Sequence, residues 1–141
     1  MKPILCKAGQ QLRLQVDDSF PHRDRKSDGW IGDARHAATV SDHNPDAKGI
    51  VRAIDIDTDL SDAKGTMSYL ADQIRLCGLA GDKRLSYVIY DRRIASAKYK
   101  WIWRAYDGPS PHTEHCHVSF STFGDQDSKF FQIPLLGGKH A

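Results

Sequence analysis

The sequence lacks any long apolar segment. Near the N-terminus only Ile4-Leu5-Cys6 are consecutively apolar before the next charge, and no stretch approaches the roughly 20 residues that a membrane-spanning helix needs. A secretory signal also requires a longer apolar run. We therefore expect a protein made in the cytoplasm without a signal peptide and without stable membrane association.

Cysteine is scarce as well. Cys6, Cys77 and Cys116 are odd in number, lie far apart and form no C-x-x-C pair. This spacing argues against a disulfide scaffold and indicates reduced thiols.

Neither sign of charge is in large excess. Twenty Lys and Arg residues balance 18 Asp and Glu residues, which leaves a formal net charge of +2. So mild a charge does not predict a nucleic-acid partner. A length of 141 residues with 40% hydrophobic residues predicts one compact domain over residues 1–141. We take a monomer as the default.

Hydrophobic periodicity predicts an α+β domain, in which one principal helix packs on a small, mostly antiparallel sheet. The helix is expected to begin near Ser61 as its N-cap and to end at about Leu76–Gly78. A polar stretch from Asp17 to Asp46 has little periodicity and is expected to be a long functional loop. The predicted strands are Leu12–Val16, Ile50–Ile56, Leu85–Tyr90, Tyr99–Tyr106 and His115–Phe120.

Two separated groups of residues carry the chemistry. His43 and Asp55 flank the entry to one predicted strand, and Glu114, His115 and His117 begin the last one. Two neutral imidazoles and one carboxylate are the ligand set of a zinc site that keeps a coordination position open. Because alternate residues of a strand point to the same face, His115 and His117 share one face. The pattern predicts metal-assisted hydrolysis.

Other interpretations fit the residues less well. Cys116 is a potential nucleophile, but it points away from the face that His115 and His117 share, so a buried, inert thiol is favoured. An EF-hand calcium loop requires Gly at Leu60 and Glu at Thr66, and neither is present. A non-catalytic zinc module and a metal-dependent nuclease remain as alternatives.

Several motifs together resemble the VanY/VanX-like zinc peptidases, which include D-alanyl-D-alanine carboxypeptidases and L-alanyl-D-glutamate endopeptidases. The peptidase domains of endolysins from phages of actinobacteria are the most similar. The resemblance spans residues 20–121 or thereabouts, and it implies a hedgehog/D,D-peptidase-like fold. The motifs are Ser27-Asp28-Gly29-Trp30-Ile31-Gly32-Asp33, Ser41-Asp42-His43-Asn44-Pro45, Gly49, Ala53-Ile54-Asp55, Tyr87-Val88-Ile89, Trp103-Arg104-Ala105-Tyr106, Pro111-His112 and Glu114-His115-Cys116-His117-Val118-Ser119.

The resemblance implies that Zn²⁺ is bound by His43, Asp55 and His117. It leaves Asp57 open as an alternative to Asp55. It also leaves open which residue moves the proton during hydrolysis, Glu114 or His115.

Four further residues are candidates for contacts with the substrate. Arg23 is a candidate for a catalytic role in holding the substrate carbonyl oxygen. Arg25, Ser41 and Trp103 are candidates for substrate binding.

The substrate implied by the resemblance is the peptide stem of bacterial peptidoglycan. An endolysin-type enzyme cuts an L-alanyl-D-glutamate or cross-bridge bond, and it reaches the wall from the host cytoplasm after holin-type release. The alternatives are a D-Ala-D-Ala carboxypeptidase and a non-catalytic, zinc-containing cell-wall-binding module.

Overall fold

The computed structural model describes residues 2–30, 42–108 and 110–139. In this part of the chain, two α-helices accompany a five-stranded antiparallel sheet, which confirms the predicted α+β class. The elements are β1 Ile4–Leu5, α1 Lys7–Ser19, β2 Ile50–Val51, β3 Ala53–Asp57, α2 Thr66–Leu79, β4 Leu85–Tyr90, β5 Arg93–Ser96, β6 Arg104–Ala105 and β7 His115–Phe120. The strand order of the five-stranded sheet is β3-β7-β4-β5-β6, and β1 and β2 form a separate parallel pair.

The predicted strand at Leu12–Val16 is wrong, because these residues lie within α1. Ala8, Leu12 and Val16 recur every four residues and are fully buried, as one face of a helix requires. Leu14, which the alternation placed beside Leu12 and Val16, is 53% exposed.

The predicted strand at Tyr99–Tyr106 is also largely wrong, because only β6 is extended there. Lys100 and Trp101 adopt left-handed backbone conformations with φ near +60°. The chain turns inward at this point, and the Trp101 ring packs on Gly78 of α2. A Cβ atom at Gly78 would lie 2.4 Å from that ring, so the contact requires glycine.

Helix α2 confirms the predicted principal helix but begins later than Ser61. Its first residue is Thr66, after Gly65 in a left-handed conformation, and its last is Leu79. The residues predicted to face the core are all buried, namely Met67, Leu70, Ile74 and Cys77. In the part of the chain that is described, no helix has the length and apolar character needed to cross a membrane.

The two faces of the five-stranded sheet differ in kind. One face packs on both helices and contributes to the core, so we call it the helix face. The opposite face carries polar side chains, and we call it the site face. The helix-face residues are Ile54, Ile56, Val88, Cys116, Val118 and Phe120. The site-face residues include Asp55, Tyr87, Ile89, His115, His117 and Ser119, since residues paired across antiparallel strands point the same way.

Candidate metal centre

Three side chains converge on the site face. Strands β3 and β7 pair Asp55 directly with His117, and His43 approaches from the loop before β2. Nε2 of His43 lies 3.1 Å from Nδ1 of His117 and 3.2 Å from Oδ2 of Asp55. Nδ1 of His117 lies 3.2 Å from Oδ1 of Asp55. The two histidines thus contact each other and the two different oxygens of the Asp55 carboxylate, and we call these three residues the triad.

The remaining ring nitrogen of each histidine is bonded to an oxygen. Nδ1 of His43 lies 3.1 Å from the carbonyl oxygen of Trp30, and Nε2 of His117 lies 2.7 Å from Oγ of Ser119. A carbonyl oxygen only accepts, so Nδ1 of His43 carries the proton of the neutral ring and Nε2 presents a lone pair. When Nε2 of His117 donates to the hydroxyl of Ser119, Nδ1 of His117 likewise presents a lone pair. Metal-binding histidines are oriented in this way.

The position of Trp30 is set by the strand next to it. The amide of Gly29 donates to the carbonyl oxygen of Asp55, and the amide of Asp55 donates back to Gly29, at 3.2 Å and 2.7 Å. Gly29 and Asp55 thus form an isolated antiparallel bridge between the loop segment and β3. This pairing holds the Trp30 carbonyl beside His43.

Electrostatics favour a cation within the triad. Burial raises the pKa of Asp55, but the neighbouring imidazoles of His117 and His43 outweigh burial and hold that pKa well below its usual range. Burial lowers the pKa of His117 below its usual value. Burial also lowers the pKa of His43, but Asp55 reverses the effect and the net shift is upward. A carboxylate and two ring lone pairs so close together need a bound proton or metal ion between them.

The triad has the size and chemistry for a divalent metal ion. Ligands at about 2.0–2.1 Å from a tetrahedral zinc lie roughly 3.3 Å apart, close to the separations observed here. His43 is 6% exposed and His117 is 5% exposed as whole residues, so both histidines are largely shielded from water. His43, Asp55 and His117 thus form a group that could hold a metal ion.

Aromatic rings enclose the triad on two sides. Tyr87 of β4 stacks on His117 with ring centroids 5.4 Å apart and planes 13° apart. His112 contacts the rings of His117 and His115 edge-on, at 5.6 Å and 5.1 Å. Tyr106 in turn contacts His112 at 5.4 Å. These contacts restrict how the histidines can rotate.

His112 is held in place by the turn between β4 and β5. The amides of Asp91 and Arg92 donate to the carbonyl oxygens of His112 and Pro111, at 2.9 Å and 2.8 Å. His112 has a φ of +55°, which is uncommon for a residue other than glycine. Burial lowers the pKa of His112 to about 4, and its Nδ1 donates to the carbonyl oxygen of Ser110. The imidazole is therefore neutral with Nε2 unprotonated.

The two candidates for proton transfer lie in different surroundings. Nε2 of His115 is 3.7 Å from Oδ1 of Asp55, on the site face beside the triad. Glu114 lines a cavity together with Asp24, Asp57 and other residues of the adjoining loops. The geometry therefore favours His115 as the residue nearer to the triad.

Asp57, the alternative ligand, lies outside the triad. Its carboxylate accepts hydrogen bonds from the amides of Ser27 and Asp59, both at 2.8 Å. Of the two aspartates, Asp55 is the one that contacts the two histidines of the triad. Asp57 instead connects the loop before β2 to the end of β3 through its hydrogen bonds.

Arg23 is not directed at the triad. Its side chain is buried, and the guanidinium is paired with Asp17 at 2.9 Å and with Asp28. Asp28 also accepts the amide of Asp57 at 2.7 Å. Arg25 is half exposed and pairs with Asp17 at 3.1 Å. Both arginines connect α1 to the loop.

Of the other two substrate-binding candidates, Trp103 lies away from the triad. The indole of Trp103 donates to Asp72 of α2 at 2.9 Å, and α2 packs on the helix face, opposite the triad. Ser41 lies outside the described residues.

Comparisons of this chain with protein-family models, with curated proteins and with solved structures find no significant match. Sequence reasoning missed Trp30, Tyr87 and Ser119 as neighbours of the triad. The sequence could have predicted that Ser119 lies near His117, because it is two residues after His117 on the same strand.

Proposed function

We propose that this chain is a zinc-dependent peptidase that hydrolyses the peptide stem of bacterial peptidoglycan. The observation that carries the proposal is the convergence of His43, Asp55 and His117, with His115 beside them. Two imidazoles and one carboxylate are the ligand set of hydrolytic zinc sites. The choice of substrate rests on the resemblance of the sequence motifs to those of wall peptidases.

Zinc fits the donors better than the harder cations do. Magnesium and calcium prefer oxygen ligands, whereas imidazole nitrogen suits zinc. Three protein donors leave a fourth position open, in contrast to the closed sites of structural zinc. When bound, zinc supplies Lewis-acid chemistry that polarises a carbonyl oxygen and makes water more acidic.

His115 is the proposed group for proton transfer. Nε2 of His115 lies 3.7 Å from Oδ1 of Asp55, so a water molecule held beside the triad would be within its reach. Nε2 would accept the proton of the attacking water and then donate it to the leaving amine. Glu114 is the alternative carrier.

The surrounding residues orient these groups. The Trp30 carbonyl and the Ser119 hydroxyl direct the donor nitrogens of His43 and His117 towards the same point. Tyr87 and His112 pack against His117 and limit its rotation. Such preorganisation lowers the cost of assembling the site when substrate binds.

Digestion of purified peptidoglycan by the zinc-loaded protein tests the proposal. We expect new free amino and carboxyl ends by mass spectrometry, which disappear with a chelator and return with zinc. His117→Ala should abolish them. His22→Ala, at an exposed histidine far along the chain from the triad residues, is the matched control and should have no effect.

The products distinguish the alternatives. Release of terminal D-alanine alone would indicate a carboxypeptidase. Intact stems, with one zinc per chain and retention on the wall, would indicate a non-catalytic binding module and would contradict the proposal.

A further inference from the structure

One transverse row of residues joins the triad to the opposite edge of the sheet. Asp55 pairs with His117, and His117 pairs with Ile89 of β4. Ile89 pairs with Ile94 of β5, and Ile94 pairs with Arg104 of β6. Directly paired residues of antiparallel strands point to the same face. Arg104 therefore lies on the site face, three strands from His117, which corresponds to about 14 Å at the usual spacing of neighbouring strands.

Arg104 is exposed and has no acidic partner among the described residues. Its guanidinium carbon lies 3.8 Å from the centre of the Tyr99 ring. Stacking on an aromatic ring fixes the guanidinium plane and leaves its N–H groups at the edge available for a ligand. A planar fork of this kind matches a carboxylate.

The residues between the triad and Arg104 are suited to an extended peptide. Ile89 is buried and Ile94 is partly buried, whereas Tyr106 and His112 are partly exposed and offer the surface that a peptide would contact. The rings of Tyr106 and His112 contact each other and connect this region to His117. The site face thus has metal-binding groups at one end, an apolar middle and a cation at the other end.

We propose that Arg104 binds a carboxylate of the substrate that lies about four residues from the bond to be cleaved. An extended chain spans about 3.3–3.6 Å per residue, so about 14 Å corresponds to about four residues. The inference rests on the proposed function and specifies the substrate of that site as a peptide with a distal anionic end. A stem peptide with a free C-terminal carboxylate is such a ligand.

Arg93 provides a matched control. It is exposed, it is paired with Ala105 next to Arg104, and its guanidinium lies over the ring of Trp103 at 4.8 Å. Because Arg93 is adjacent in register to Ile94, its side chain points to the helix face. Arg93→Gln and Arg104→Gln each remove one positive charge from the same edge of the sheet. Arg93→Gln removes it from the helix face, and Arg104→Gln removes it from the site face.

The experiment uses the zinc-loaded protein and fluorescein-labelled L-Ala-γ-D-Glu-L-Lys-D-Ala-D-Ala, in which four residues follow the L-Ala–D-Glu bond, with either a free C-terminal carboxylate or a carboxamide. Fluorescence anisotropy measures the two dissociation constants, and mass spectrometry of the same samples detects cleavage. Where cleavage occurs, the ratio of kcat/KM values replaces the ratio of dissociation constants. We expect the carboxylate to be favoured about tenfold by the unsubstituted protein, as for an exposed charge-assisted hydrogen bond. The ratio should fall to near one in Arg104→Gln and stay unchanged in Arg93→Gln.

Several results would overturn the inference. They are an equal preference for the two peptides in the unsubstituted protein, failure to bind either peptide, an unchanged ratio in Arg104→Gln, and equal losses in the two variants. Cleavage without a carboxylate preference would refute the role of Arg104 but leave the peptidase proposal intact. A preference that depends on Arg104, without cleavage, would support the role of Arg104 and contradict the peptidase proposal.

Discussion

Nε2 of His43 and Nδ1 of His117 face each other at 3.1 Å, although 74 residues separate them in the chain. The Trp30 carbonyl oxygen places the proton of His43 on Nδ1, and when Nε2 of His117 donates to the Ser119 hydroxyl, both nitrogens in this contact present lone pairs. Two lone pairs next to the Asp55 carboxylate repel one another unless a cation lies between them. The pairing therefore indicates a site that is organised around positive charge.

Asp55 and Asp57 should differ in what they support. Asp55→Asn should reduce bound zinc from about one per chain to near zero, because a neutral amide is a poor ligand. Asp57→Asn should retain zinc but lower the free energy of unfolding by about 1–3 kcal/mol, because one of its two bonds to backbone amides is lost. Elemental analysis after gel filtration and urea unfolding measure the two effects. Zinc lost from Asp57→Asn but kept by Asp55→Asn would move the ligand to Asp57.

Ser119 should influence zinc affinity without touching the ion. Ser119→Ala removes the oxygen that orients His117, and we expect a zinc dissociation constant about 10–100-fold higher. Ser96→Ala is the control, because Oγ of Ser96 is buried without a hydrogen-bond partner, and both serines pair with Tyr87. Competition with a chromogenic chelator gives both constants. Equal effects of the two substitutions would argue against the orienting role of Ser119.

His115 and Glu114 can be separated by their kinetics. His115→Ala should lower kcat about 10²–10⁴-fold, the usual contribution of a general acid–base, and leave zinc content unchanged. Glu114→Gln should have only a small effect, since Glu114 lines the cavity around Asp57. Cleavage of stem peptides by zinc-loaded variants measures both. A large loss in Glu114→Gln with a small loss in His115→Ala would reverse the assignment.

Cys116 should be chemically inert in the folded protein. It is fully buried on the helix face, and burial raises its pKa well above that of a free thiol. Burial likewise raises the pKa of Cys77 to about 11 and that of Cys6 above its usual value. Burial limits access of the reagent and the raised pKa values disfavour the reactive thiolate, so iodoacetamide should modify none of the three until urea is added. Mass spectrometry counts the adducts.

The burial of Cys116 also predicts how its removal affects activity. Cys116→Ala should retain peptidase activity, because Cys116 does not share the face of His115 and His117. Loss of activity in a variant that remains folded by circular dichroism would restore Cys116 as a candidate nucleophile.

Local periodicity predicted some elements well and others poorly. Strands β4 and β7 were predicted with their observed bounds. In α1 the alternation of apolar and polar residues was misleading. Leu12 and Val16 also fit a helical repeat, and only packing of α1 against the core decides between the two patterns.

The sequence by itself determined the candidate ligand types, the shared face of His115 and His117, and the α+β class. Strand alternation and hydrophobic periodicity are local properties, so they can be read along the chain. Only the tertiary structure decided that His43 meets Asp55 and His117, and that Arg23 is occupied by acidic partners. Strand pairing and loop packing bring together residues that are distant in sequence, and no local pattern specifies those contacts.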